Sequence, residues 1–246
     1  MGYGYFVRTL NLESNIYQGV ERPDMPKRMS LPKKTAMAQG GLRERNKQLR
    51  AEQVLDAAAL LFRERGYEGT HIEAIAEQAL VAPATVYNYF ATKPNLLMAL
   101  ALRHVRASLP ERRAFLSNLP EEPLQGVIAF ESLLARQAMR RLSRECWRVI
   151  LSAAFLEPEG PASRTGARLN TLILRHYIRL VLRYQETGKI RASVDAAALA
   201  EILLGLITQD FGNFVAAPAR PIESLLDQTE RHIGIVLQGV LAEQAK

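Results

Sequence analysis

Cysteine is almost missing from this chain, with Cys146 the only one in 246 residues. One thiol allows no internal disulfide and no thiolate zinc cluster. Histidine is nearly as scarce. His71, His104, His176 and His232 are scattered without the i, i+4 pairing that sets two imidazoles on one helix face. There is no Gly-x-x-x-x-Gly-Lys phosphate loop and no Cys-x-x-Cys. No apolar run approaches the ~18 residues of a membrane span, and the N-terminus lacks the compact apolar core of a signal peptide. Paired acids such as Glu121-Glu122 and Glu157/Glu159 fall at helix edges, where they read as caps. These absences exclude a catalytic set, a metal site and a cofactor motif, and they point to a cytoplasmic protein with no membrane partner. With only 12 Pro and 15 Gly, a collagen-like or low-complexity chain is excluded too.

What is present is an ordinary globular composition, 48% hydrophobic and 23% charged, of a length that suits one or two domains. The net charge of +7 is unevenly spread. Residues 1–49 hold nine Lys and Arg against four acids, whereas residues 50–110 are balanced. Such a basic segment either meets a polyanion or keeps an unfolded stretch solvated. Residues 1–48 show no sustained period and are punctuated by Pro23, Pro26, Pro32, Gly40 and Gly41, so a mostly disordered arm is expected there. Met25, Met29 and Met37 each offer a later translation start.

From Arg50 onward the pattern is helical. Val54, Ala58, Leu61 and Phe62 share one face of a helix over 51–65, which Gly66 stops. Thr70-x-x-Glu73 has the form of a capping box opening a short helix with Ile72, Ile75, Ala76 and Ala79 inward. Pro83 suits the first turn of a third helix reaching Phe90. Thr92 caps a fourth, stopped by Pro110. Five longer amphipathic stretches follow, at about 122–141, 143–156, 163–187, 196–216 and 222–243, and no strand pattern competes. The fold class expected is all-α. A helix-turn-helix domain over 49–109 follows the arm, and a larger helical domain over 110–246 completes the chain.

Three short helices in under fifty residues, the second and third joined tightly, form a helix-turn-helix signature. Val86 and Phe90 suit the buried back of the third helix, while Thr85, Tyr87, Asn88 and Tyr89 offer hydroxyls, an amide and aromatic rings to phosphates and base edges. Packing of Tyr87 and Tyr89 within a small helical core is the competing reading. The stretch VLDAAALLFRERGYEGTHIEAIAEQALVAPATVYNYFATKPNLLMALA closely resembles the DNA-binding domain of the TetR family of bacterial transcriptional regulators. Gly66-Tyr67, Thr70, Ile75-Ala76, Thr85-x-Tyr87-x-x-Phe90, Lys93 and Leu96-Leu97 carry the likeness in order.

The resemblance implies that Thr85, Tyr87 and Lys93 clamp phosphates, with Tyr89 near the backbone. It sets Ala82, Pro83, Ala84 and Asn88 toward the groove, and Thr70 and Glu73 at the start of a helix lying across the DNA backbone. Three departures bear on this. Leu80 stands where a turn glycine is usual, so the turn either avoids positive φ or carries strain. Glu73 replaces a frequent Arg, and either completes the cap or accepts from a cytosine amine. The tip Ala82-Pro83-Ala84 has only apolar groups, which suit thymine methyls.

In the family the C-terminal domain holds an effector pocket and the dimer interface. The expected interface is the helix pair over 196–216 and 222–243, with Leu203, Leu206, Ile207, Leu226, Ile233 and Leu237 facing a second copy; intramolecular packing is the alternative. Pocket candidates are Phe130, Leu134, Gln137, Trp147, Ile150, Phe155, His176, Tyr177 and Phe211, a mostly apolar set with a few polar groups. Arg136, Arg140, Arg141, Arg144 and Arg148 read as a solvated stripe. The resemblance implies a ligand-responsive homodimer, most often a repressor of a palindromic double-stranded DNA operator, released by a small apolar or aromatic effector. A helical binding or interaction module without specific DNA recognition is the alternative.

Overall fold

The computed structural model describes residues 34–156 and 158–241. Its helices, in chain order, are α1 Lys34–Arg65, α2 Ile72–Gln78, α3 Pro83–Phe90, α4 Lys93–Ala107 and α5 Leu109–Ser117. They continue with α6 Pro123–Arg141, α7 Arg144–Leu156, α8 Pro161–Glu186, α9 Ala196–Ala216 and α10 Ile222–Gln238. The protein is all-α, and among the described residues the sole β pairing is a bridge between Ile190 and Leu241.

Two boundaries differ from the sequence expectation. Residues 1–33 of the expected arm lie outside the described residues, but from Lys34 the chain is helical rather than irregular. Gly40 and Gly41 apart, this stretch is mostly Ala, Met, Gln, Leu, Arg, Glu and Lys, the strongest helix formers. A helix nucleated on the apolar face beyond Ala51 extends backward at little cost. Residues 44–50 are exposed on all sides, so no apolar period announces them. The second difference is α5. Pro110 was expected only to stop a helix, yet it also sits in the first turn of the next one, where its missing N–H is harmless.

One buried cluster joins Val54, Leu61 and Phe62 of α1, Ile75 of α2, Val86 of α3 and Leu96, Leu97 and Ala101 of α4. The same cluster runs on through Cys146, Ile150 and Ala153 of α7 to Ala162 and Leu169 of α8. The helix-turn-helix therefore shares its core with α7 and α8. A second cluster unites Val127 and Phe130 of α6, Tyr177, Leu180 and Tyr184 of α8, Leu203 and Ile207 of α9, and Ile233 and Leu237 of α10. Each such side chain contributes about 1.5–3 kcal/mol by leaving water. A Cβ placed on Gly126 would collide with Tyr184 Oη, so glycine is what lets α6 and α8 close up.

This packing corrects the expected dimer face. Leu203, Ile207, Ile233 and Leu237 are buried in the chain's own core and offer no surface to a second copy; Leu206 and Leu226 are half-buried. The outward side of the same two helices carries Ile202, 54% exposed, and Ile235, 70% exposed. The 21-residue helix α9 includes an 18-residue window of mean hydropathy 1.2, long and apolar enough by length and composition alone to cross a membrane, although Glu201, Gln209 and Asp210 interrupt it. Its Leu199, Leu203, Ile207 and Phe214 are nevertheless core, and it carries the buried Asp210.

Candidate functional site

In the helix-turn-helix, α3 is built to present one face. Val86 is buried, and Phe90 packs half-buried against the shared core. Ala82, Pro83, Ala84, Tyr87 and Asn88 are exposed, with Thr85 and Tyr89 half-buried at its flanks. Tyr89 meets Phe90 edge-on at 6.2 Å. The apolar tip, one amide and one phenol thus project together from a short helix with a fixed back.

The turns on either side of α3 are strained. Leu80 adopts φ +55° and is 93% exposed, so the residue in the usual glycine position takes the left-handed conformation at a cost. Ala91 follows at φ +60°, where the Thr92 N–H donates to the Phe90 carbonyl at 2.7 Å, a tight three-residue turn of a rare kind. Thr92 then caps α4 as expected, accepting from the Asn95 N–H at 3.2 Å.

Thr70 and Lys93 do other work than the resemblance implied. The residue before α2 is His71, and no Thr70–Glu73 capping box forms. Thr70 is fully buried and its hydroxyl hydrogen-bonds to the carbonyls of Gly66 and Leu61, at 2.6 and 3.2 Å, where the end of α1 leaves acceptors free. It faces protein, not phosphate. Glu73 remains exposed in the first turn of α2, where a carboxylate suits the helix dipole. Lys93 Nζ donates to the carbonyls of Tyr67 and Thr70 at 2.9 and 3.0 Å and lies 4.3 Å from the Tyr67 ring centre. Of its three N–H groups, one is left for a phosphate.

The opposite side of that loop is held by α7. Glu145 accepts from the N–H groups of Tyr67 at 3.0 Å and Glu68 at 2.8 Å. Burial pushes the Tyr67 phenol up to about 12. Arg144, expected in a solvated stripe, instead donates to the carbonyls of Ala217, Pro218 and Arg220, and Arg148 to that of Val215. The two cations therefore close the C-terminal end of α9, where carbonyls lack partners.

The nine pocket candidates separate. Phe130, His176 and Tyr177 gather, with ring centres 6.0 Å apart for Phe130–His176 and 5.3 Å for Phe130–Tyr177. Leu134 packs against the same cluster. Trp147 and Phe211 meet edge-on at 5.4 Å in another place. Ile150 belongs to the core shared with the helix-turn-helix, and Phe155 is 85% exposed, away from either group.

Buried polar residues accompany the first group; Gln137 was a sequence candidate, whereas Arg112, Glu131 and Asp210 were not. Arg112, 3% exposed, donates from Nε to Gln137 Oε1 at 2.8 Å, while its Nη1 has no hydrogen-bond partner. Gln137 Nε2 donates in turn to Glu111 Oε2 at 2.7 Å. Tyr177 Oη donates to Glu131 Oε2 at 3.2 Å. Burial pushes Glu131 up to about 8, so it holds a proton at neutral pH; the same burial lowers Arg112 to about 10. Asp210 accepts from Gln228 at 2.7 Å and Thr229 at 3.3 Å, and shares a hydrogen bond with His232 Nδ1 at 2.9 Å. Glu131 and Asp210 were legible as acids at core positions of apolar helix faces, Glu131 four residues after Val127 and Asp210 three after Ile207.

Outside this cluster, a groove of about 310 Å³ is lined by Leu109, Arg113, Leu172, Arg175, His176 and Arg179. A larger hollow of about 400 Å³ lies at the α5–α6 loop, where Tyr184 Oη already donates to the Pro120 carbonyl and Lys189 pairs with Glu121 and Glu122.

Comparison with known proteins agrees with this geometry. The family described as bacterial regulatory proteins, tetR family, matches residues 54–100. The HTH-type transcriptional regulator BetI of Burkholderia mallei (strain NCTC 10229) is 29% identical over 173 residues, covering 68% of this chain and 82% of that protein. The HTH-type transcriptional regulator UidR of Escherichia coli (strain K12) is 22% identical over 157 residues, covering 62% and 75%. In fold, the chain is similar to Thermus thermophilus FadR, a TetR-family repressor solved with lauroyl-CoA. That likeness has a TM-score of 0.64 at 21% identity and covers 79% of this chain and 97% of the other.

Proposed function

We propose that this chain, whose residues 54–100 match the tetR family of bacterial regulatory proteins, regulates transcription as a homodimeric repressor released from DNA by a small molecule. The observation that carries the DNA-binding part is the face of α3. A helix of eight residues, anchored by Val86, turns Ala82, Pro83, Ala84, Tyr87 and Asn88 outward together. Asn88 can bond an adenine edge bidentately, the alanines and Pro83 can meet thymine methyls, and Thr85, Tyr87 and Tyr89 can hold phosphates. Lys93 adds its remaining N–H, and exposed Arg45, Lys47 and Arg50 of α1 supply further cations. Such a regulator works in the cytoplasm, where the DNA is.

A second copy meets the outward face of α9 and α10. Ile202 and Ile235 are exposed there, and Gly205 and Gly234 face open space, which permits close helix approach. A two-fold pair sets two α3 helices at a fixed separation, matching a palindromic operator. The effector acts from the C-terminal helices. Any shift of α7 pulls on the loop held by Glu145 and so on α2 and α3. A ligand that prefers the spacing unsuited to the operator weakens DNA binding by linkage.

Hydroxyl-radical footprinting of the full chain on the DNA upstream of its own reading frame tests this reading. Two symmetric protected patches on one face of the duplex, lost with Asn88→Ala, support it. Even protection along the duplex that Asn88→Ala leaves unchanged contradicts it and favours a binding module without DNA recognition.

A further inference from the structure

We propose that the C-terminal helices bind a small organic carboxylate, which enters through the arginine-lined groove between α5 and α8 and pairs its oxygens with Arg112. The inference rests on the effector reading above and adds the chemical class of the effector.

The first observation is the buried guanidinium. Arg112 is almost wholly out of water, its side chain's one hydrogen bond among the described residues is to the neutral amide of Gln137, and Nη1 has no acceptor. A buried cation with a free N–H is costly unless an anion meets it. Of the neighbouring acids, Glu131 bonds to Tyr177 and is held in its protonated form by burial, and Glu111 is linked to Arg112 only through Gln137, so neither carboxyl meets Nη1. A carboxylate fits because its two oxygens match the planar fork of a guanidinium.

The second observation is the groove, independent of the first. Three of its six lining residues are Arg113, Arg175 and Arg179, all exposed, and none of the six is acidic. Among the described residues none of these three arginines engages in a salt bridge. Cations without partners around a concave mouth raise the local concentration of anions.

His176 connects the two. It lines the groove, its ring lies 6.0 Å from that of Phe130, and Nδ1 is held by the Leu172 carbonyl at 2.6 Å. Burial lowers its proton affinity, and the charges of Arg112, Arg179 and Arg113 lower it further, so the inner guanidinium and two of the outer ones all act on the imidazole. Turning this neutral ring aside opens the way from the groove to Arg112. Phe115, Phe130 and Leu172 receive the apolar body of the ligand. A groove of about 310 Å³ is at the small end for ligand sites, so the body is short.

Isothermal titration of the full chain with octanoate and 4-phenylbutyrate, each beside its primary amide and beside inorganic phosphate, tests the proposal. At least one carboxylate is expected to bind about tenfold or more tightly than its amide, a difference of about 1.4 kcal/mol, while phosphate binds weakly. Arg112→Gln removes that preference. Because Arg112→Gln can disturb folding, the exposed double variant Arg175→Gln/Arg179→Gln provides the second arm. It weakens carboxylate binding several-fold, flattens its salt dependence and leaves the amide unaffected. Equal binding of acid and amide, binding no tighter than about 1 mM by either acid, or equal binding by phosphate overturns the proposal. A carboxylate that binds through Arg112 yet leaves promoter DNA bound supports this site and contradicts ligand release. A neutral compound that releases DNA while both carboxylates fail to bind overturns the site alone.

Discussion

The Glu145 carboxylate accepts from the backbone N–H of Tyr67 at 3.0 Å, joining α7 to the loop between α1 and α2 across 78 residues of sequence. The neighbouring Glu68 N–H binds the other oxygen, and Lys93 holds the far side of the loop by its carbonyls. A Cβ on Gly66, which sits at φ +74°, would stand 2.6 Å from Glu145 Oε2, so glycine there serves both the turn and the contact. Helix α7 and the loop that leads into the helix-turn-helix thus meet at a charge-assisted pair of hydrogen bonds.

Glu145→Ala is expected to lower stability by about 1–3 kcal/mol, since it leaves two N–H groups without their acceptor. Glu145→Gln retains an acceptor and loses less. Both weaken promoter binding, with Ala the worse. Thermal melts with fluorescence anisotropy on promoter DNA check the order. Unchanged DNA affinity in Glu145→Ala would remove the contact from the coupling route.

Leu80→Gly relieves the left-handed strain at φ +55° and, because the side chain is 93% exposed, loses little packing. A gain of about 1 kcal/mol is expected, which raises Tm by roughly 2–4 °C for a domain of this size. Calorimetry checks it. A fall in Tm would mean that the exposed leucine makes a stabilising contact.

Glu131 gives a pH dependence of definite sign. Its carboxyl is pushed up to about 8 by burial, above the ordinary carboxylate range near 4.5. Between those values the folded protein holds a proton that the unfolded chain releases, so stability falls as pH rises through the window. Glu131→Gln stays neutral throughout. It is expected to gain on the wild type by a few kcal/mol between pH 5 and pH 9, read from denaturant midpoints. Parallel pH profiles for the two proteins would contradict the assignment.

The two faces of α9 make opposite predictions. Ile202→Glu with Ile235→Glu places charge on the outward side and is expected to shift the protein toward monomer in sedimentation equilibrium, with little loss of monomer stability. Leu203→Ala opens a cavity in the core and costs about 2–5 kcal/mol without abolishing self-association. A dimer that survives both glutamates would place the interface elsewhere.

The helix-turn-helix was legible because its inward residues keep a helical period and its outward residues form an ordered string from Thr85 to Lys93. The roles of Thr70 and Lys93 were not, because both side chains are drawn to carbonyls that exist only once α1 and the following loop are in place. The length of α1 escaped since residues 44–50 expose every face and leave no apolar period. That Leu203, Ile207, Ile233 and Leu237 pack in the chain's own core was not legible for a related reason. Helix α9 is apolar on both sides, and periodicity does not tell which side its own chain covers. Arg112 lies on a helix the sequence reading did not expect, and its burial emerges only from the packing of α5 between α6 and α8.

The central claim is that α3 reads DNA. Its most direct test is fluorescence anisotropy of the full chain on promoter and scrambled duplexes across a salt series, with Asn88→Ala, Tyr87→Phe and Arg45→Gln/Lys47→Gln. The account predicts promoter binding at least about 10³-fold tighter than scrambled. Asn88→Ala should cost about 1–3 kcal/mol on the promoter alone, and Tyr87→Phe should weaken binding to both duplexes. The α1 double variant should lower both affinities and reduce the salt slope by about 2. Equal affinity for the two duplexes, unmoved by Asn88→Ala and abolished by the α1 variant, would contradict it and leave only polycation binding.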